Sequence, residues 1–236
     1  MKNKTKILAV LFAMFISNST YSQVIVTNPF SGIFTWGTNG NVTNFPYNGS
    51  IIPDVSVSSF TKVNTVSSSS SGNFRASSWS TNTIPDLNKY FEFSIAAATG
   101  TTINMGNITF GIGRSSTGPL KWEWRTSLDN YAAAVTNFLT VNTNLTITDG
   151  TITVPDANAS WLNSIISFSN MTGIENITFR FYGFGAKTNT GTGGFQGNLT
   201  FDGESVAVVP EPSTMSLLLI CGIAALGYRM RSKIRS

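Results

Sequence analysis

Residues 145–154 read Leu-Thr-Ile-Thr-Asp-Gly-Thr-Ile-Thr-Val, and few ten-residue stretches leave a backbone less choice. Asp-Gly supplies the two positive-φ positions of a two-residue type I′ turn. Aliphatic and threonine side chains alternate on both sides of it, which is the period of a half-buried strand. Closing the turn at Asp149-Gly150 pairs Thr148 with Thr151, Ile147 with Ile152, Thr146 with Thr153 and Leu145 with Val154. All four aliphatic side chains then share one face and all four threonines the other, so turn chemistry and pattern specify the same β-hairpin.

The same period recurs along the chain. Phe91, Phe93 and Ile95 fall on one face of their stretch, as do Ile108, Phe110 and Ile112, Trp122 and Trp124, and Ile177, Phe179 and Phe181. Each reads as an antiparallel strand with one face buried. Loop chemistry separates them at 67–72, 97–100, 115–119 and 188–194, where Ser, Thr, Gly and Pro gather. Within residues 24–208 long 3.6-residue periodicity is absent, and only Ala157–Asn163 suggests a short helix. Many short strands with such connections predict an all-β fold, an antiparallel β-sandwich that is jelly-roll-like rather than immunoglobulin-like.

The formal charge of +4 points first to an anionic partner, but its distribution says otherwise. Lys2, Lys4 and Lys6 sit at the front and Arg229, Arg231, Lys233 and Arg235 at the back. Between Gln23 and Val209, eight basic residues face ten acidic ones, a net charge of −2. The basicity belongs to the ends, and no nucleic-acid partner is expected. Histidine is absent, which removes the commonest general base, the usual partner of a serine or cysteine nucleophile and the commonest metal ligand. The single cysteine, Cys221, lies in an apolar tail, so the domain ahead of it has neither disulfide nor thiolate metal site.

The ends read as addresses. A basic start, the apolar run Ile7–Ile16 and the small and polar residues up to Ser22 follow the order of a secretory signal peptide, with cleavage expected after Ser22. Residues 1–22 are thus a signal helix and 23–208 the β-sandwich domain. At the other end Val209-Pro210-Glu211-Pro212 stops any strand, 213–228 is an apolar transmembrane helix, and 229–236 is basic. Cations beyond the helix favour the cytoplasmic side, which puts the domain outside.

This tail resembles the PEP-CTERM sorting domain of Gram-negative bacteria, in which Val-Pro-Glu-Pro, a short membrane helix and an arginine-rich end follow in that order. The resemblance implies that exosortase, a membrane transpeptidase with its own catalytic cysteine, reads the tail. Val209, Pro210, Glu211 and Pro212 would be the sorting and processing motif, and Arg229 and Arg231 the stop signal. It implies export to the cell envelope, outer surface or extracellular matrix, with transient inner-membrane anchoring through the C-terminal helix. Within the domain, Arg114-Ser115-Ser116-Thr117-Gly118-Pro119, Ser127-Leu128-Asp129 and Arg180-Phe181-Tyr182-Gly183 are similar to the jelly-roll domains that precede many such tails, and imply the same fold.

Candidate sites are few. Glu92 and Glu123 have the chemistry of a glycosidase carboxylate pair, but on the polar faces of strands they are expected to pair with Lys121, Arg125, Arg114 or Arg180. Asp202-Gly203-Glu204 offers hard oxygens to Ca²⁺, but without a loop of further carboxylates its composition reads first as a turn. Trp36 and Trp79, in Gly-, Ser- and Asn-rich surroundings, are the candidates for stacking on a glycan, whereas Trp122 and Trp124 belong to the core. No catalytic residue, cofactor or resident metal is expected. The reading is a non-catalytic exported surface or matrix protein, sorted by exosortase and associated with the exopolysaccharide of a biofilm. The alternatives are a carbohydrate-binding module on a β-sandwich and a carboxylate-dependent glycoside hydrolase or lyase.

Overall fold

A computed structural model describes residues 24–37, 42–50, 52–68, 72–155, 160–168 and 170–209. Contacts divide the chain into Thr27–Val206 and a second unit made of Met1–Val26 with Ala207–Ser236, and the fold described belongs to the first. The strands are β1 (Val24–Phe34), β2 (Asn44–Phe45), β3 (Val55–Val57), β4 (Phe60–Val63), β5 (Val66–Ser68), β6 (Asn73–Ser77), β7 (Tyr90–Ala97) and β8 (Thr101–Arg114). They continue as β9 (Lys121–Thr126), β10 (Phe138–Thr140), β11 (Thr146–Thr148), β12 (Thr151–Thr153), β13 (Ser160–Ser167), β14 (Asn176–Phe184), β15 (Gly193–Gln196) and β16 (Leu199–Val209). Among the described residues the only helix is the single 3-10 turn Ser127–Asp129. None is long and apolar enough to cross a membrane.

Two antiparallel sheets form a sandwich-like fold. The first runs β1-β16-β8-β15-β6-β5, with β13 also on β8 and β10 beyond β13. The second runs β11-β12-β9-β14-β7-β4-β2, with β3 also on β7. The alternation in sequence becomes burial: Phe91, Phe93, Ile95, Ile108, Phe110, Ile112, Trp122, Trp124, Ile177, Phe179 and Phe181 are all buried. Aromatic rings knit the sheets together, among them Phe110 on Trp124 at 5.5 Å, Phe181 on Phe195 at 4.7 Å and Phe60 on Phe74 at 5.2 Å between centroids.

The hairpin forms in the expected register, with Thr148 opposite Thr151, Ile147 opposite Ile152 and Thr146 opposite Thr153. Asp149 at φ 50° and Gly150 at φ 81° supply the left-handed pair that the turn requires. The expected helix at Ala157–Asn163 is corrected: its second half is the start of β13, where Trp161 pairs with Ile112. Ala157, Asn158, Ala159 and Ser160 offer no large apolar group one helical turn before Trp161, and pairing of Ser160 and Trp161 to β8 satisfies the backbone instead.

β8 changes phase along its length. Ile103 and Met105 point inward, and then so do Ile108, Phe110 and Ile112, so one residue is inserted between the two runs, as in a β-bulge. A Cβ at Gly106 would overlap Asp202 Oδ1, and that oxygen accepts the Asn107 amide at 2.8 Å. Glycine is needed here because the carboxylate fills the space where a side chain would stand.

One inward position of β4 is a lysine. Lys62 is 2% exposed and its Nζ lies 4.1 Å from the centre of the Phe74 ring. Burial lowers its pKa from 10.5 to about 8. A folded pKa below the unfolded one means that the unfolded chain binds more protons between those values, so stability is expected to rise from pH 8 to pH 10.5. Below pH 8 the cost is fully present, on the order of 2 kcal/mol after allowing for the attraction of the ring. Lys62→Met should remove both the cost and the slope, as urea unfolding across that pH range would record; an unchanged slope would refute the assignment.

Candidate functional site

The outward positions of the central strands of the second sheet carry the chemistry. Tyr90 and Glu92 on β7, Arg180 and Tyr182 on β14, and Glu123 and Arg125 on β9 lie on this face. Register sets Arg180 between Glu92 and Arg125, and Tyr182 opposite Glu123. Arg180 Nε donates to Glu92 Oε2 at 2.6 Å. Arg125 donates to Glu123 Oε2 through Nη2 at 2.8 Å and Nε at 3.1 Å, while Glu123 Oε1 accepts the Thr151 hydroxyl at 2.9 Å.

The tyrosines order the arginines. The Arg180 guanidinium lies 4.2 Å from the Tyr90 ring centre and 3.7 Å from that of Tyr131, and Tyr90 and Tyr182 are 5.4 Å apart. Burial pushes the Tyr182 and Tyr90 phenols above their ordinary pKa, against the pull of Arg180. Burial alone would lower the Arg180 guanidinium, but its hydrogen bond to the Glu92 carboxylate and the charge of that group carry it above the ordinary value. The face is therefore a charge-balanced array in which each carboxylate already has a cationic partner.

Glu92 and Glu123 thus do what their strand positions suggested, pairing with Arg180 and Arg125. The pairing of Glu123 with Arg125 is along one strand, two residues apart, rather than across strands. The glycan-stacking role expected of Trp36 and Trp79 is corrected. Each is 1% exposed. Trp36 stacks on Phe74 at 4.8 Å, and Trp79 meets Phe91 at 4.9 Å and Trp122 at 5.0 Å while its indole N–H donates to Ala76 O at 2.8 Å. Small, polar neighbours in sequence left these rings as the largest apolar groups of their segments, and the sandwich interior absorbed them.

Asp202-Gly203-Glu204 is also corrected as a turn: it lies within β16, and the Asp202 carboxylate caps the β8 bulge. Among the described residues no three His, Cys, Asp or Glu side chains gather to hold a metal. Val209 ends β16. Ser22, Pro210, Glu211, Pro212, the 213–228 segment, Arg229 and Arg231 lie outside the described residues.

The sequence motifs of the domain have structural tasks. Arg114 donates Nε to Val154 O at 2.7 Å, Nη2 to Pro155 O at 2.8 Å and Nη1 to Ser115 O at 3.2 Å. Ser115 Oγ accepts the Thr192 amide at 2.9 Å and Ser127 Oγ accepts the Thr178 amide at 3.0 Å. A Cβ at Gly118 would overlap Thr192 O. At Gly183 the Trp122 and Trp79 rings close over the backbone at 2.8–3.0 Å from where a Cβ would stand.

Fold and site together define an all-β, sandwich-like protein with two arginine–glutamate pairs on one outer sheet face. No family model matches the chain, and no curated protein matches it. Among solved structures, the K3 cleaved adhesin domain of Lys-gingipain from Porphyromonas gingivalis w83 is similar over 79% of this chain and 99% of that one, at 14% identity and a TM-score of 0.25.

Proposed function

We propose that this is a non-catalytic exported protein of the cell surface or extracellular matrix, delivered through its C-terminal tail by exosortase and associated with exopolysaccharide. The observation that carries the non-catalytic reading is the commitment of Glu92 and Glu123 to arginines on the same sheet face. A glycosidase pair needs one carboxyl free to give a proton and another free to attack or to activate water. The delivery reading rests on the order of Val209-Pro210-Glu211-Pro212, the apolar segment and the arginine-rich end.

The sandwich is a jelly-roll-like scaffold in this reading. Supporting it, β7, β8 and β9 alternate between the sheets, and so do β12, β13, β14 and β15, as the successive crossings of a double Greek key require. A reporter carrying residues 205–236 should remain a membrane-held precursor in a host without exosortase, and be shortened and reach the surface in a host with it. A reporter soluble in the periplasm of the exosortase-bearing host would refute the delivery reading.

A further inference from the structure

Between the segment 126–137 and residues Asn170 and Met171 lies a surface cavity of about 330 Å³. That is at the lower end of the range for small-molecule sites. Part of its wall is apolar: Leu128, 49% exposed, with Val135 and Met171. The remainder is polar and has capacity beyond what the fold uses. Asp129 gives Oδ2 to the Ala133 amide at 3.0 Å, which leaves Oδ1. Asn137 binds the Ser167 amide through its main-chain oxygen at 2.8 Å, and its side-chain amide touches Asn170 Oδ1 only at 3.5 Å.

The wall is rigid. Asn130 and Tyr131 are consecutive left-handed residues, at φ 56° and 60°, and a tyrosine holds that conformation only where its surroundings enforce it. The Tyr131 amide donates to Thr126 O at 2.9 Å, Arg125 Nη1 donates to Tyr131 O at 3.0 Å and Ala132 O at 3.3 Å, and the Tyr131 ring lies on Arg180. The charged array on the sheet face thereby holds the loop that builds the cavity, so a ligand meets a wall that is already ordered.

A carboxylate and two primary amides beside an aliphatic patch match the two surfaces of a sugar ring, its hydroxyls and its C–H face. Among the described residues Asp129 is the one charged residue in the lining, and no basic side chain there balances a uronate. We propose that the cavity is a subsite for a neutral pyranose with adjacent hydroxyls, held by Asp129, Asn137 and Asn170 against Leu128 and Met171. This rests on the proposed association with exopolysaccharide and names its point of contact.

The test titrates the full chain with the methyl glycosides of glucose, galactose and mannose, and separately sediments it with polysaccharide from producing cells. The variants are Asn170→Ala, at an exposed position, and Asp129→Asn, which keeps an oxygen for Ala133. Saccharide binding weakened at least 10-fold in both variants, with unchanged thermal unfolding, supports the subsite. Polysaccharide or glycoside binding that the variants leave intact overturns the subsite while the association stands. Glycosides bound through the cavity by a chain that ignores the polysaccharide would uphold the subsite and refute the association. Failure of the wild-type chain to bind either overturns both.

Discussion

Arg114→Met is expected to lower the stability of the domain by about 2–3 kcal/mol, because it strips a buried guanidinium from three carbonyls, and that of Val154, a fully buried residue, is left without a partner. Arg114 is 5% exposed, at the end of β8. It binds Val154 O and Pro155 O, where the chain leaves β12 in the second sheet on its way to β13 in the first. The side chain therefore clamps a crossover between sheets. Methionine preserves much of the apolar stem, so the loss reads the hydrogen bonds rather than the volume. Lysine has one nitrogen where three are used, and Arg114→Lys should recover less than half of the loss. Urea unfolding followed by tryptophan fluorescence would measure both, and a loss under about 1 kcal/mol for Arg114→Met would show that the clamp is dispensable.

Phe181→Ala should cost about 4–5 kcal/mol, from the transfer of a whole ring to water and the cavity left behind. Phe181 is fully buried on β14, stacked on Trp122 at 4.7 Å and close to Trp124 at 4.8 Å, and it reaches Phe195 and Phe110 of the opposite sheet. Removing it severs contacts within one sheet and between both, and rings packed at these separations add to the burial term. Phe181→Leu, which refills most of the volume, should cost less than half as much. Equal losses for the two variants would mean that ring geometry, and not volume, governs the interior.

These two positions show how unevenly the structure was legible. Phe181 could be placed from its neighbours alone, since Ile177, Phe179 and Phe181 alternate with polar residues and a strand sends alternate side chains to opposite faces. The outward positions of Glu92, Glu123, Arg125 and Arg180 followed from the same rule. Their partners did not: Glu92 and Arg180 are 88 residues apart. Which strands lie side by side is decided by packing over the whole domain, and a single sequence carries no local mark of it. From the sequence the ion pairs are a choice among Lys121, Arg125, Arg114 and Arg180.

Asp202 and the two tryptophans mark the other limit. Nothing near Asp202 in sequence announces a bulge in β8, because the bulge exists only once β16 lies beside it. Trp36 and Trp79 stand among small polar residues whose composition suggests solvent, yet the space between the sheets takes the largest apolar groups within reach. The cavity has no mark in the sequence for the same reason, since Leu128 and Asp129 meet Asn170 and Met171 through folding and not through spacing.

By itself the sequence determined the all-β class, the Asp149-Gly150 hairpin with its register, the inward face of each central strand and the segregation of positive charge to the ends. Those are matters of turn geometry, a two-residue period and composition, all of which act over a few bonds. The tertiary structure alone decided which arginine meets which glutamate, where the tryptophans go and where a small molecule finds room, because these depend on surfaces that distant segments present to one another only after the sheets have closed.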